Sequence, residues 1–347
     1  MNNGAEYTEV EKPLLDQLAR FGYTTIVGDK FDPAATERSN FREVILQGRL
    51  RKALRDLNPG SGGKPWLDDP RISEAVSALT RPGVGKLLEI NERMTNLLLE
   101  GVPVSGLPGW DQGRNQRIHF VDWDNPEDND FVAISQFRVD EPGGQSKKFI
   151  APDVVLFVNG IPLVVIECKS PYIVDPMAEG IKQLRRYANQ RDLGMPEGSE
   201  SLFWTNQFVI STYGDKARVG TFTALPEHFL EWKDPVPLTM DLLARQLGKP
   251  ANQLTGQELL AAGMLTKATL LDIARHYTLF TESAGKRFKM GAQIAPDYFS
   301  RVGTPSRAQI SGPPGMTATV LSTTQAVSGG TYCPRWGFGP GMSGMPY

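Results

Sequence analysis

Cysteine is nearly absent from this 347-residue chain: only Cys168 and Cys333 occur, far apart in sequence. A disulfide framework is therefore not an organising device, and a reducing cytoplasm is the expected setting. Histidine is equally scarce. His119, His228 and His276 stand singly, so no zinc arrangement and no Ser-His-Asp constellation suggests itself, and each is expected to be structural. An excess of one charge is also missing, since 37 Lys+Arg against 39 Asp+Glu leaves a net charge of −2. A protein that holds nucleic acid unaided usually shows a basic excess, so any such grip must be local or borrowed from partners. Long apolar runs are lacking as well. The longest, Val154 to Ile166, is broken by Asn159-Gly160 and Pro162 and is too short to span a bilayer. The start, Met1-Asn2-Asn3-Gly4-Ala5-Glu6, has no basic-then-apolar leader pattern, and no membrane association is expected.

What remains is an ordinary globular composition, 40% hydrophobic and 22% charged, with enough length for a sizeable core and two domains. Thr8-Glu9-Val10-Glu11 matches a capping box, with Thr8 as N-cap. The helix it opens carries Val10, Leu14, Leu15 and Leu18 and ends near Gly22. A second helical pattern spans about Phe41 to Leu57 and has a basic face of Arg42, Arg49, Arg51, Lys52 and Arg55. A solvated face is the expected reading, a phosphate-facing strip the alternative. Helices are expected around Ile72–Leu79 and Gly85–Glu100. From Arg117 the period turns strand-like, with strands expected at Ile118–Asp122, Phe131–Val139, Val154–Val158 and Ile161–Glu167. The last two are almost continuously apolar, as strands buried on both faces are. Asp175-Pro176 reads as N-cap and first residue of a helix reaching Asn189. Leu202–Ser211 is a further strand, and Leu238–Leu247, Gly256–Ala262 and Thr266–Thr278 read as small helices.

Three charges interrupt the apolar hairpin. Asp153 opens its first strand, and Glu167 and Lys169 close its second. Charged groups at the edge of a greasy ribbon are costly unless they hold something. Two carboxylates suit Mg²⁺, which takes one or two of them, several waters and a substrate phosphate. The main-chain carbonyl of Cys168 offers a third oxygen. Lys169 lies two residues beyond Glu167, so strand periodicity sends both side chains to one face, where an ammonium can orient water and stabilise developing negative charge. Cys168 points the other way and reads as core. A plain two-residue Asn159-Gly160 turn would set Asp153 opposite Ile166 and put the carboxylates on opposite faces. A three-residue loop would pair Asp153 with Val165, so an odd-length connection or an equivalent bulge is expected. Gln183 and Tyr187, spaced i, i+4 on the following helix, share one face and can reach a phosphate or a carboxylate.

Pro152-Asp153, Glu167-x-Lys169 and Gln183-x-x-x-Tyr187 resemble the PD-(D/E)xK nuclease signature with its additional recombination-nuclease-like motif. Asn129-x-Phe131, Gln136 and the run Ala151 to Pro171 resemble the N-terminal region of the restriction (R) subunit of type I restriction-modification enzymes. Arg42 to Pro59, Gly101–Val104 and Asp122–Pro126 fit the same family, and the resemblance covers about residues 6–290. It implies an α+β or α/β restriction-endonuclease-like core, a central mixed β-sheet flanked by helices, with a small helical appendage. It also implies a metal-dependent endonuclease for double-stranded DNA, with Mg²⁺ as cofactor and Mn²⁺ as a substitute, working with modification and specificity subunits. Asp153, Glu167 and Lys169 carry over as the catalytic set, supported by Gln183 and Tyr187. Asp153, Glu167 and the Cys168 carbonyl are the expected metal ligands, with Glu11 or Glu9 of the first helix as a further approach.

The resemblance divides the chain into an endonuclease domain over 1–232, a helical linker and start of a motor region over 233–290, and an atypical stretch over 291–347. That last stretch has 10 Gly, 7 Pro, no Lys, no Glu and a single acid, Asp297, so disorder or poor packing is expected. The family continues into an ATP-driven motor with a Gly-x-x-x-x-Gly-Lys-Ser/Thr loop. No such motif occurs here, and Ala284-Gly285-Lys286-Arg287 lacks both spacing and hydroxyl. ATP is therefore expected only in full-length relatives, and the end of this sequence reads as out-of-frame or truncated. The alternative function is a catalytically silent DNA- or partner-binding module on the same fold.

Overall fold

The computed structural model describes residues 4–60, 66–142, 148–191, 196–283, 286–291, 306–311 and 317–322. The chain opens with a wide helical turn over Glu6–Glu11 that runs into α1 (Lys12–Arg20). β1 (Thr24–Val27) follows, then α2 (Gln47–Leu57), α3 (Asp69–Thr80), α4 (Leu87–Glu100) and the small ribbon of β2 (Val102–Val104) and β3 (Gln116–Ile118). β4 (Phe131–Ser135) leads through the short β5 (Val139–Asp140) and β6 (Phe149–Ile150) to β7 (Val154–Val158) and β8 (Ile161–Cys168). Next come α5 (Pro176–Tyr187), β9 (Phe208–Thr212), β10 (Ala217–Gly220) and β11 (Leu230–Glu231). The helices α6 (Met240–Leu247), α7 (Gly256–Met264) and α8 (Lys267–His276) precede β12 (Thr278–Ser283) and β13 (Lys286–Gly291). A last hairpin pairs β14 (Ser306–Ser311) with β15 (Thr317–Ser322). The rest of the 291–347 stretch, Cys333 included, lies outside the described residues.

The centre is a seven-stranded mixed sheet in the order β1-β4-β7-β8-β9-β10-β11. β4, β7 and β8 run antiparallel, whereas β1 is parallel to β4 and β9 is parallel to β8. Every residue of β4, β7 and β8 is buried, which accounts for their unbroken apolar character. The helices α7 and α8 join this same core through Leu260, Met264, Leu270 and Ile273. Gln257 Nε2 donates to Val10 O (3.0 Å), Gln17 Nε2 of α1 donates to Glu258 O (3.0 Å) and Tyr23 Oη donates to Leu265 O (2.9 Å), tying the residue 233–290 region to α1 and its flanks. The β12–β13 hairpin is anchored by Lys289, whose Nζ donates to Asn206 O (2.7 Å), Asn91 Oδ1 (2.9 Å) and Gln207 Oε1 (3.0 Å). Burial pushes that amine well below its ordinary range.

Local signals mostly acted where the sequence placed them. Asp175 caps α5 by accepting from Ala178 N–H (3.2 Å), and Gly22 closes α1 with φ +87°. The Thr8 capping box does not form. The helix begins at Glu6, Thr8 lies inside it with Oγ1 donating to Gly4 O (3.3 Å), and Glu11 is turned inward to Gln136. The basic face of α2 is largely neutralised: Arg49 bonds Glu37 (2.6 Å) and Asp130 (2.7 Å), Lys52 bonds Asp56 (2.5 Å) and Arg55 bonds Asp69 (2.7 Å). This favours the solvated-face reading over a phosphate strip.

Hairpin register decides where the charges land. Asn159 (φ +53°) and Gly160 (φ +78°) make a two-residue turn, with Val158 paired to Ile161 and Phe157 to Pro162. The expected three-residue loop is therefore absent. A bulge at Leu163 shifts the ladder instead, pairing Leu156 with Val164 and Val154 with Ile166. Its physical cause is Pro162, which has no N–H for a central ladder and is accommodated at bulges. Thr205 Oγ1 donates to Pro162 O (2.8 Å), and Gln207 N–H and Asn206 Nδ2 donate to Leu163 O (2.6 and 3.2 Å), so the displaced carbonyls are satisfied. Extending the shifted register by one residue sets Asp153 directly opposite Glu167.

The turn itself is rigidly held. Asn159 Nδ2 donates to Phe120 O (2.9 Å) and Asn129 Oδ1 (2.7 Å), and its Oδ1 accepts from Asp130 N–H (2.8 Å). A Cβ on Gly160 would stand 2.5 Å from Leu46 O, at a left-handed φ. Gly160→Ala is expected to destabilise the fold by about 3 kcal/mol, read as a lowered denaturation midpoint in urea. A midpoint within error of the unaltered chain would contradict this account of the turn.

Candidate active site

At the open end of the β7–β8 ribbon the sequence-predicted residues do converge. Asp153 follows Pro152 out of the β6–β7 connection; its Oδ2 accepts from Cys168 N–H (2.8 Å) and its main-chain oxygen from Gln136 N–H (2.9 Å). Glu167 is fully buried on β8. Lys169 Nζ is bonded to Glu167 Oε1, donates to Cys168 O (2.9 Å) and lies 3.9 Å from Asp153 Oδ2. Its main-chain N–H donates to Thr212 O (2.9 Å), which extends the β8–β9 pairing and fixes the direction of the side chain. The two carboxylates and the lysine therefore share one face, as expected, and Cys168 faces the core, where burial pushes its thiol up.

The first helix completes the group. Its wide opening turn, in which Lys12 N–H donates to Tyr7 O, places Glu6 and Glu11 on the side facing β8. Such turns interrupt an α-helix at strain and recur at functional sites. Glu6 Oε2 accepts from Ser170 N–H (3.2 Å), and Glu11 Oε2 accepts from Gln136 Nε2 (3.0 Å). Glu9 is directed elsewhere, accepting from Tyr172 Oη (2.9 Å). The structure thus brings Glu11 rather than Glu9 to the charged cluster.

Gln183 and Tyr187 lie on α5 one turn apart, with Gln183 Nε2 donating to Tyr187 Oη. Tyr187 is buried and its Oη lies 3.5 Å from Ala151 O, just ahead of Pro152-Asp153. Burial, with Glu167 adding to it, pushes the phenol well above its ordinary range. The pair braces the Asp153 segment from behind. Gly180 was not singled out in the sequence, yet a Cβ there would meet Ser211 Oγ at 2.2 Å and Lys169 Cγ at 3.5 Å. It lets α5 lie close against β9 and Lys169. The signal that could have found it is a glycine inside a helical pattern, which usually marks a packing constraint.

Electrostatics follow from crowding. Burial raises the Glu167 carboxyl well above its usual range, and Asp153 raises it further against the pull of Lys169. Burial raises Asp153 too, although Lys169 and the Cys168 N–H oppose it. Glu11 is pushed up to about 7 by burial and by Asp153. Burial works to lower Lys169, but Glu167 and Asp153 outweigh it and its ammonium is raised overall. Acids therefore outnumber bases in a small desolvated volume. Two carboxylate oxygens in it, Glu11 Oε1 and Glu167 Oε2, are buried with no hydrogen-bond partner. Unsatisfied buried acceptors are rare in native folds, and a hard cation is the natural partner for oxygens of this kind. Among the described residues no group of three or more His, Cys, Asp and Glu is arranged so that it could hold a metal ion by itself.

A mixed sheet flanked by helices, with acids and a lysine gathered at its central ribbon, defines an α+β nuclease-like core. The chain belongs to the family described as type I restriction enzyme R protein N terminus, whose family model matches residues 5–228. It is 30% identical over 286 residues to the type I restriction enzyme HindI endonuclease subunit of Haemophilus influenzae, covering 81% of this chain and 25% of that protein. It is 23% identical over 280 residues to the putative type I restriction enzyme MjaIXP endonuclease subunit of Methanocaldococcus jannaschii, covering 78% and 25%. The chain thus spans about a quarter of the length of these curated relatives. Among the described residues no helix is long and apolar enough to cross a membrane.

Proposed function

We propose that this chain is the DNA-cleaving region of a type I restriction R subunit, a PD-(D/E)xK endonuclease that hydrolyses phosphodiester bonds of double-stranded DNA with Mg²⁺ or Mn²⁺. The observation that carries the reading is the pair of orphaned carboxylate oxygens, Glu11 Oε1 and Glu167 Oε2, in a buried cluster where acids outnumber bases. Asp153, Glu167 and the Cys168 carbonyl would hold the ion, with Glu11 approaching it through its free oxygen. When bound, the ion would act as a Lewis acid toward the scissile phosphate and lower the pKa of a bound water.

Lys169 does the remaining electrostatic work. Its ammonium, held by Glu167 and the Cys168 carbonyl, is placed to orient the attacking water and to stabilise the charge that develops on the phosphoryl oxygens. Tyr187 and Gln183 keep the Ala151–Asp153 segment in place. DNA targeting and ATP-driven delivery are assigned to the modification and specificity subunits and to the remainder of a full-length R subunit. The near-neutral net charge suits a region that receives DNA from partners.

Purified chain incubated with supercoiled plasmid and Mg²⁺ is expected to yield open-circular and linear DNA, with Asp153→Asn inactive. Calorimetric titration with Mn²⁺ runs beside it, because an isolated region can bind metal yet lack delivery of DNA. Failure to bind Mn²⁺ at millimolar concentration would leave the silent binding module as the surviving reading.

A further inference from the structure

We infer that Gln136 is a positioning residue that locks Asp153 and Glu11, from elements far apart in the chain, into the geometry needed to take up the cation. This rests on the metal-dependent reading above and deepens it. The sequence pattern predicts a continuous strand over Phe131–Val139, yet β4 stops at Ser135 because Gln136 adopts φ +52°. A non-glycine residue in the left-handed region is uncommon and strained, so the surrounding structure must enforce it.

What the strained backbone achieves is visible in the contacts. The Gln136 N–H donates to Asp153 O (2.9 Å), fixing the main chain of the acid. Its side-chain Nε2 donates to Asp153 Oδ1 (3.2 Å) and to Glu11 Oε2 (3.0 Å). One neutral amide therefore spends both its hydrogens on two like-charged carboxylates. That leaves Glu11 Oε1 bare and buried beside Asp153. A lysine here would neutralise the acids and compete with the ion, whereas a residue without a donor would leave Glu11 free to swing away. Glutamine holds them together without cancelling the charge that attracts a cation. Groups that orient metal ligands in this way typically contribute 10- to 100-fold in metal affinity.

Gln136→Gly removes the amide and relieves the backbone, two opposed effects on stability, so the metal-free chain is expected to keep its fold and melt cooperatively. Its Mn²⁺ affinity, measured by electron paramagnetic resonance of the free ion, is expected to fall at least about 10-fold. In plasmid cleavage the half-saturating Mg²⁺ concentration should rise by a similar factor, while the rate at saturating Mg²⁺ stays within about 3-fold, a split that a merely structural defect does not give. Gln136→Asn tolerates the left-handed backbone but is one methylene too short to span both acids, and it carries the test if the glycine variant fails to fold. Mn²⁺ affinity equal to that of the unaltered chain in these variants overturns the inference alone. Absence of Mn²⁺ binding by the unaltered chain overturns it together with the reading on which it rests.

Discussion

Lys169→Ala is expected to abolish Mg²⁺-dependent plasmid cleavage, by about 10³-fold or more, a loss of the size seen when a preorganised charge-stabilising donor is removed. Lys169 is 8% exposed and its ammonium is bonded to Glu167, so no solvent cation reproduces its position. Lys169→Arg is expected not to rescue activity, because a planar guanidinium cannot fit where a compact ammonium meets both Glu167 and the Cys168 carbonyl. The alanine variant has a second signature. Without Lys169, Glu167 and Asp153 face one another in a desolvated site, so the metal-free variant should lose more stability between pH 5 and pH 8 than the unaltered chain does. Gel assays of supercoiled plasmid check the first effect and thermal melts at the two pH values check the second. Cleavage within 10-fold of the unaltered chain would remove Lys169 from the chemistry.

Glu11→Gln is expected to make the metal-free protein more stable at pH 8 while weakening its hold on divalent ions. The sign follows from linkage. Glu11 has its folded value raised to about 7 from an ordinary 4.5, so the native state binds the proton more tightly than the unfolded chain does. The corresponding stability is fully present below pH 4.5 and is lost as pH rises through 7. Removing the charge should recover about 2 kcal/mol at pH 8 after allowance for solvent screening, a rise of several degrees in Tm for a chain of this size. Little change is expected near pH 4.5, where the carboxyl is already protonated. Added Mg²⁺ should reverse the ranking, because binding to the native state stabilises it by mass action and the unaltered chain binds better. Equal melting of the two proteins at pH 8 without metal would show that Glu11 bears no strain.

The fold and the candidate site were legible in the sequence to different depths. Asp153, Glu167 and Lys169 stood out because charge in a continuously apolar ribbon is unusual, and strand periodicity alone put Glu167 and Lys169 on one face. The need for a register shift between Asp153 and Glu167 was equally derivable from parity. Its location was not, since the Asn159-Gly160 turn is the ordinary two-residue kind and Pro162 displaces the ladder. A proline in a strand that must be central was the available clue. Thr8 to Glu11 misled because a capping pattern fits many helix starts, and only tertiary contact with Gln136 decides that Glu11 faces inward. Gln136 was named only as part of the resemblance, and its bend was not legible, because nothing local forces its backbone into the left-handed region. The small helices near residues 240–276 were legible as helices, and in the structure Thr239, Thr255 and Thr266 cap them. Their union with α1 depends on long-range packing that no local pattern encodes.

The meeting of Glu6 with Ser170 and of Glu11 with Gln136 joins parts of the chain more than a hundred residues apart. Contacts of such separation form late, after the loops between them have closed. During synthesis, therefore, the acids emerge as dispersed, hydrated carboxylates with no special appetite for ions. The gathering of these acids into one desolvated cluster is a property of the finished tertiary structure alone.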